Sequence, residues 1–165
     1  MQTETPISRH PSQDKGLVLT FAKESFAATY HESLELFNQH YVEISANHDI
    51  ELKGDTKRYL ELEGAGALAV WTVREQGELI GYGWFFITKH LHYADSTQAV
   101  QDILFIRKDK RGMGRKFIKY CDDQMRSMGC QIVHQHVKCA HDWSHVLVEQ
   151  GYKQVEKIFS KRLDK

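Results

Sequence analysis

The tightest constraint in this sequence is a junction: a β-rich run, residues 99–106, passes through a basic glycine loop into an amphipathic helix. The loop reads Arg107-Lys108-Asp109-Lys110-Arg111-Gly112-Met113-Gly114, and the helix runs to Met128 with Phe117, Ile118, Cys121, Met125 and Met128 on one face. Gly129 is its natural C-cap. A helix N-terminus presents free N–H groups and the positive end of a dipole, so this junction is built to receive an anion. Gly112 and Gly114 lack side chains that would keep a pyrophosphate from those amides, and Lys108, Lys110, Arg111 and Arg115 add positive charge. The pattern points to a phosphate-bearing cofactor; a plain glycine turn with a solvated basic rim is the alternative. Neither GxxxxGK[ST] nor the third glycine of a dinucleotide fingerprint is present, which excludes those two phosphate motifs.

The rest of the chain supplies a mixed α/β frame. Residues 1–15 are polar, carry Pro6 and Pro11, and read as a flexible N-terminal tail; residues 16–165 read as a single domain, the expected number for 165 residues. A short first strand is expected at 17–21, an amphipathic helix at 25–45, and a second, shorter helix at 56–63 before Gly64-Ala65-Gly66. Residues 67–73 and 79–87 flank Glu75-Gln76-Gly77-Glu78 and read as an antiparallel hairpin. A polar, histidine-bearing loop is expected at 89–96. After the junction come a strand at 131–137, a helix at 143–149 and a last strand at 152–163. Trp71, Trp84 and Phe86 read as sheet packing, and Phe26, Tyr30, Phe37 and Tyr41 as a helix stripe that packs in the core or borders an acceptor site.

Composition narrows the function. Twenty-two Lys+Arg balance 22 Asp+Glu, so no overall positive field would hold a nucleic-acid backbone. No apolar stretch approaches the roughly 18 residues of a membrane helix, and the N-terminus lacks an apolar signal core. Cys121, Cys130 and Cys139 are odd in number and form no CxxC pair, which fits a reducing cytoplasm.

The stretch QDILFIRKDKRGMGRKFI, with Gly129 beyond it and EQGYKQVEKIFSKRL near the end, resembles the GNAT superfamily of N-acetyltransferases, best over about residues 80–140. The layout, with HYADS before the strand and the terminal GYKQVEKIFSK, looks more like phage-encoded acetyltransferases than housekeeping ones. The resemblance implies a mixed, mostly antiparallel central sheet, splayed in the middle and flanked by helices, and a location in the cytoplasm, that of the host for a phage protein. It implies acetyl-CoA as co-substrate: Phe105, Ile106 and Arg107 along the pantetheine arm, and Arg111, Gly112, Met113, Gly114 and Arg115 at the pyrophosphate. The loop departs from the family's Q/R-x-x-G-x-G/A pattern. Registering on Gly112 and Gly114 puts Asp109 where Gln or Arg is usual, registering on Arg111 puts Lys116 where the last Gly or Ala is usual, and the loop is about two residues short.

The implied reaction is direct attack of a primary amine on the thioester, with the acceptor unidentified and dimers frequent in the family. Asp102 matches the family's acidic residue and would be the general base. Read on its own, a lone Asp between Val100 and Ile103 is either a partnered site group or a solvent-facing position of the alternation. The tyrosine that many members carry as general acid would fall on Leu147, leaving Tyr93, His134, His136, His145 and Tyr152 as substitutes, with Tyr93 and His134 in the proposed catalytic set. The absent tyrosine and altered loop also fit a non-catalytic binder of this fold acting on a protein partner. His90-x-His92 and His134-x-His136 each place two imidazoles on one face of an extended chain, as a metal site would; no metal is assigned.

Overall fold

Five strands lie side by side in chain order: β1 (Leu19–Glu24), β2 (Leu68–Glu75), β3 (Glu78–His90), β4 (Tyr93–Ile106) and β5 (Ile132–His134). The first three pairings are antiparallel, and β4 pairs with β5 in parallel. The computed structural model describes residues 18–45, 47 and 49–164. The expected tail at 1–15 lies outside them. Helices α1 (Phe26–Ile44) and α2 (Thr56–Gly64) follow β1, α3 (Gly114–Ser127) follows β4, and α4 (Ser144–Glu149) follows β5. Among the described residues no helix is long and apolar enough to cross a membrane.

Helices cover both faces, so β2 and β3 are buried on both and read as nearly continuous apolar runs. The two-residue period still sorts their side chains. Ala69, Trp71, Val73 and Phe85 join Ile106 against Phe117, Cys121 and Met125 of α3. Leu68, Val70, Tyr82, Trp84 and Phe105 join Phe26 and Leu36 of α1. The β2–β3 hairpin turns at Gln76 and Gly77, both with positive φ (52° and 87°), the two-residue turn whose twist matches the strands. Ser25 caps α1 by accepting from the Ala28 N–H at 3.1 Å. Gly129, at φ 83°, ends α3 as the sequence requires.

Several expected boundaries shift. The first strand is displaced to Leu19–Glu24, because its register places Leu19 opposite Glu75 and Glu24 opposite Val70. The expected loop at 89–96 is mostly sheet: β3 runs to His90, β4 starts at Tyr93, and only Leu91 and His92 turn. This arm exposes Leu91 and Tyr93, so solvent rather than backbone irregularity explains its polar composition. The strand expected at 131–137 keeps three residues, since β4 and β5 part after Val100 and His134. Residues 152–163 form no strand. Tyr152 is tied down by donating to Asp122 at 2.5 Å, but Val155, Ile158, Phe159 and Leu163 beyond it are exposed, and apolar β-rich composition without a neighbouring strand leaves the backbone unpaired.

His40 of α1 lies 3.1 Å through Nδ1 from the Tyr82 hydroxyl and stacks on Phe105 with ring centroids 4.8 Å apart. Burial pushes its pKa down to about 4 from the ordinary 6.5; Glu43 opposes this, and Arg111, Lys138 and His141 reinforce it. Between those values the unfolded chain binds a proton that the folded chain refuses. Stability contributed by neutral His40 is therefore present above pH 6.5 and lost as pH falls towards 4, by up to about 3 kcal/mol. We expect the stability difference between wild type and His40→Gln, measured by urea denaturation, to shrink between pH 7 and pH 5; a constant difference would refute a buried neutral imidazole.

Candidate functional site

Parallel pairing of β4 with β5 covers only Gln98 to Val100, opposite Ile132 to His134, so residues 101–106 have no strand beside them on that edge. At the parting point the buried Gln101 side chain substitutes for the ladder. Its Oε1 accepts from the His136 N–H at 3.1 Å, and its Nε2 donates to the His136 carbonyl at 3.3 Å. The sheet thus opens into a wedge whose apex is an amide side chain and whose one wall is a β4 edge with no strand beside it.

Next along β4 the register slips: Gln101 opposes Phe85 and Ile103 opposes Trp84, leaving Asp102 as the extra residue of a β-bulge. A bulge breaks the strict alternation. Ile103 and Asp102 therefore both serve the α1/α2 side, Ile103 packing with Trp84 and Asp102 accepting from the Tyr59 hydroxyl of α2 at 2.6 Å. Burial raises the Asp102 pKa, while Tyr59 and then His136 pull it back down. Of the two readings the sequence left for Asp102, the structure has the partnered, half-buried one.

The other expected catalytic residues separate. His134, on β5 opposite Val100, donates from Nε2 to Gln98 at 3.1 Å and flanks the wedge. Tyr93 lies nine residues before Asp102 at the start of β4, roughly 30 Å along an extended strand. There it packs on His90 with centroids 5.1 Å apart, and the structure does not bring it to Asp102. Leu147 is buried in the core, and Tyr152 is engaged by Asp122 and Gln135. His90 and His92 sit on the exposed arm, whereas His134 and His136 flank the wedge; among the described residues no group of three or more His, Cys, Asp or Glu could hold a metal ion.

At the far end of β4 the loop forms a 3-10 turn, Lys108–Met113, feeding α3, whose N-terminus no side chain caps. Gly114 has ordinary helical angles, and neither glycine has the positive φ that would demand one. A Cβ on Gly112 would meet nothing within 4 Å, and one on Gly114 only Ile106 Cδ1 at 3.9 Å. Neither backbone conformation nor protein packing accounts for these glycines. What the two glycines do provide is open space beside the uncapped start of α3.

The basic residues are shared with carboxylates. Arg111 binds Glu43 of α1, points Nη1 at His141 Nε2 at 3.3 Å and lies over the Phe105 ring at 5.9 Å. Arg115 binds Glu149 through Nε at 2.7 Å in an exposed pair. Arg107 binds Glu78 at 2.5 Å and Asp109 at 2.8 Å, and Lys110 binds Glu75 at 2.5 Å, so both lean towards the β2–β3 turn. Exposed pairs are worth about 0–1 kcal/mol, so an incoming anion exchanges Arg115 from Glu149 at little cost. Phe105 and Ile106 point their side chains into opposite cores and leave only backbone for the wedge, and Met113 packs against the α3 core. Sequence reasoning missed Tyr59, Gln101 and Glu43; Tyr59 looked like one more helical aromatic, and only the three-dimensional pairing marks it.

The acetyltransferase (GNAT) family matches residues 28–152. No match to the sequence is found among curated proteins. Among solved structures, ribosomal-protein-alanine N-acetyltransferase from Brucella melitensis biovar Abortus 2308 is similar, at 15% identity and TM-score 0.66, over 88% of this chain and 99% of that one. Glucosamine-6-phosphate N-acetyltransferase from Arabidopsis thaliana is similar at 18% identity and TM-score 0.66, over 89% and 99%. So is a predicted acetyltransferase with acetyl-CoA from Clostridium acetobutylicum, at 10% identity and TM-score 0.67, over 88% and 97%.

If the two glycines serve access alone, bulk there should cost binding without costing fold. Gly112→Val with Gly114→Val is expected to lose at least about tenfold in acetyl-CoA affinity by calorimetry, while the thermal midpoint falls by only a few degrees. Unchanged affinity would refute the assignment of the α3 N-terminus to the cofactor.

Proposed function

Because the chain belongs to the acetyltransferase (GNAT) family, we propose that it is an N-acetyltransferase that moves the acetyl group of acetyl-CoA to a primary amine by direct attack. The observation that carries this reading is a half-buried carboxylate, Asp102, at the bulge where the wedge between β4 and β5 begins, on the same strand that leads to the uncapped N-terminus of α3. A proton acceptor and an anion cradle thus lie at the two ends of one free strand edge.

Acetyl-CoA supplies the activated acyl group. The protein's tasks are to hold it and to manage protons. The α3 amides at Gly112–Arg115, with Arg111 and Arg115, would hold the pyrophosphate, and the edge of β4 that has no strand beside it, at Phe105 and Ile106 and running into Arg107, would hold the pantetheine arm. An amine attacks only when unprotonated, so a base must take its proton. Asp102 is suited to this because burial raises its pKa towards the working range. His134, on the opposite side of the wedge with Nε2 fixed by Gln98, is the proton donor of this reading in place of the tyrosine absent at 147.

The acceptor class rests on amine chemistry. Two similar structures are named for a protein's alanine and for glucosamine 6-phosphate, both amines. Thiol release from acetyl-CoA should therefore be followed with an Ala-initiated peptide, glucosamine 6-phosphate and spermidine. We expect turnover with at least one amine, and a loss of about 10²–10⁴-fold in kcat/KM for Asp102→Asn. Acetyl-CoA binding without thiol release would favour the non-catalytic binder instead. For the wild type, kcat/KM should fall as pH drops through the raised pKa of Asp102, since the protonated carboxyl accepts nothing; an acid limb that persists in Asp102→Asn would assign the base elsewhere.

A further inference from the structure

Asp102 sits on a bulge, where the backbone no longer dictates its side-chain direction through the ladder, yet a base must hold one orientation to be useful. What fixes it lies on another element. Tyr59 is in the first turn and a half of α2, a helix started by the Asp55 side chain accepting from the Arg58 N–H at 3.0 Å and pinned at its other end by the Phe26 N–H donating to Glu63 Oε1 at 2.5 Å. Its ring is stacked on Phe26 at 5.1 Å, edge-on to Trp84 at 5.2 Å and parallel to Phe86 at 6.4 Å. Three rings and two helix ends leave the phenol a single place, and from it the hydroxyl donates to Asp102 Oδ2 at 2.6 Å.

We propose that Tyr59 is the positioning residue of this site: its hydroxyl grips one carboxylate oxygen of Asp102 and presents the other, Oδ1, as the proton acceptor for the attacking amine. The inference rests on the acetyl-transfer reading and adds to it a residue outside β4. Among the described residues the Tyr59 hydroxyl is the one hydrogen-bond donor to the Asp102 side chain. The groups facing Asp102 support the division of labour. From α2 comes Tyr59, from the segment after β5 comes His136, and β3 contributes the rings Trp84 and Phe86, which do not titrate. Tyr59 itself stays protonated, since burial and then Asp102 raise its pKa, so it donates at every pH at which the protein works.

The test is Tyr59→Phe, which keeps the ring and its packing and deletes only the donor. With an amine that wild type acetylates, we expect kcat to fall on the order of tenfold, KM for acetyl-CoA to stay unchanged, and the acid limb of the pH profile to move to higher pH, because the lost hydrogen bond had favoured the charged carboxylate. A purely structural tyrosine would lower the thermal midpoint without moving that limb. In parallel, the carboxyl carbon of Asp102, assigned with Asp102→Asn in protein labelled with ¹³C-aspartate, is titrated by NMR without substrate; its midpoint should also rise in Tyr59→Phe. An unmoved limb and an unmoved NMR midpoint overturn the role of Tyr59. Absence of thiol release by the wild type overturns acetyl transfer and this role with it, and is told apart because the NMR midpoint still moves.

Discussion

The site depends on one event in the sheet, the parting of β4 from β5 beyond Val100 and His134. A continuous parallel ladder would satisfy the backbone groups of 101–106 within the protein and leave nothing to receive a ligand. Two local devices make the parting stable. Gln101 replaces the missing ladder step with two side-chain hydrogen bonds to His136, so the apex is polar but satisfied. The bulge at Asp102 then bends the strand away and reverses the facing of its side chains. Alternation from Ala99, which lies in the α3-side core, sets Asp102 on the α1/α2 side, away from Trp71, Phe85 and Phe117, and the extra residue brings Ile103 and Phe105 to that same side.

The two faces of the sheet then take different duties. The α3 side is a dry core in which Phe117, Cys121 and Met125 are fully buried, and its function is to hold the α3 N-terminus at a fixed height beside the end of β4. Gly81 contributes by having no side chain: a Cβ there would come within 2.8 Å of the Phe105 carbonyl, so β3 and the end of β4 approach closely only with glycine at that position. The α1/α2 side mixes rings with polar tips. Tyr59, Tyr82 and His40 each pack an aromatic body and extend a hydrogen bond, two of them to each other and one to Asp102. That side is also the one that carries Asp102.

The frame was largely legible because each piece is written in local periodicity. The hairpin around Gln76-Gly77, the two helices after β1, and α3 with its Gly129 cap follow from spacing and turn chemistry alone. The failures share a cause. Whether residues 89–96 form an arm of sheet, and whether residues 152–163 find a strand to pair with, is decided by neighbours that the local sequence does not name. The site shows the same division. Asp102 and the two loop glycines stood out as residues that break a local rule, a charge in an apolar strand and small residues at a helix start. Tyr59 and Gln101 break none: a tyrosine in an amphipathic helix and a glutamine in a strand are ordinary until their partners at Asp102 and His136 are in view. Tyr93 is near Asp102 in sequence but not in space, because β4 is long enough to set its two ends far apart.

The charges around α3 follow from the same geometry. A cradle for a doubly charged anion, if lined with unpaired arginines, would carry strong self-repulsion whenever it is empty. Here Arg111 and Arg115 each rest on a carboxylate from another element, Glu43 of α1 and Glu149 of α4. The Arg115–Glu149 pair is half-exposed and contributes little to stability, so it offsets charge at the helix end without holding Arg115 strongly, whereas the Arg111–Glu43 pair is more enclosed. They also join the anion end of the wedge to α1, since Glu43 is held by Arg111 and His141 together. An anion that draws Arg111 away would leave Glu43, in the last turn of α1, with His141 alone. The overall neutrality of the chain is therefore consistent with anion binding, because what would matter to an anion is the set of amides at the uncapped helix end and the ease with which Arg115 changes partners.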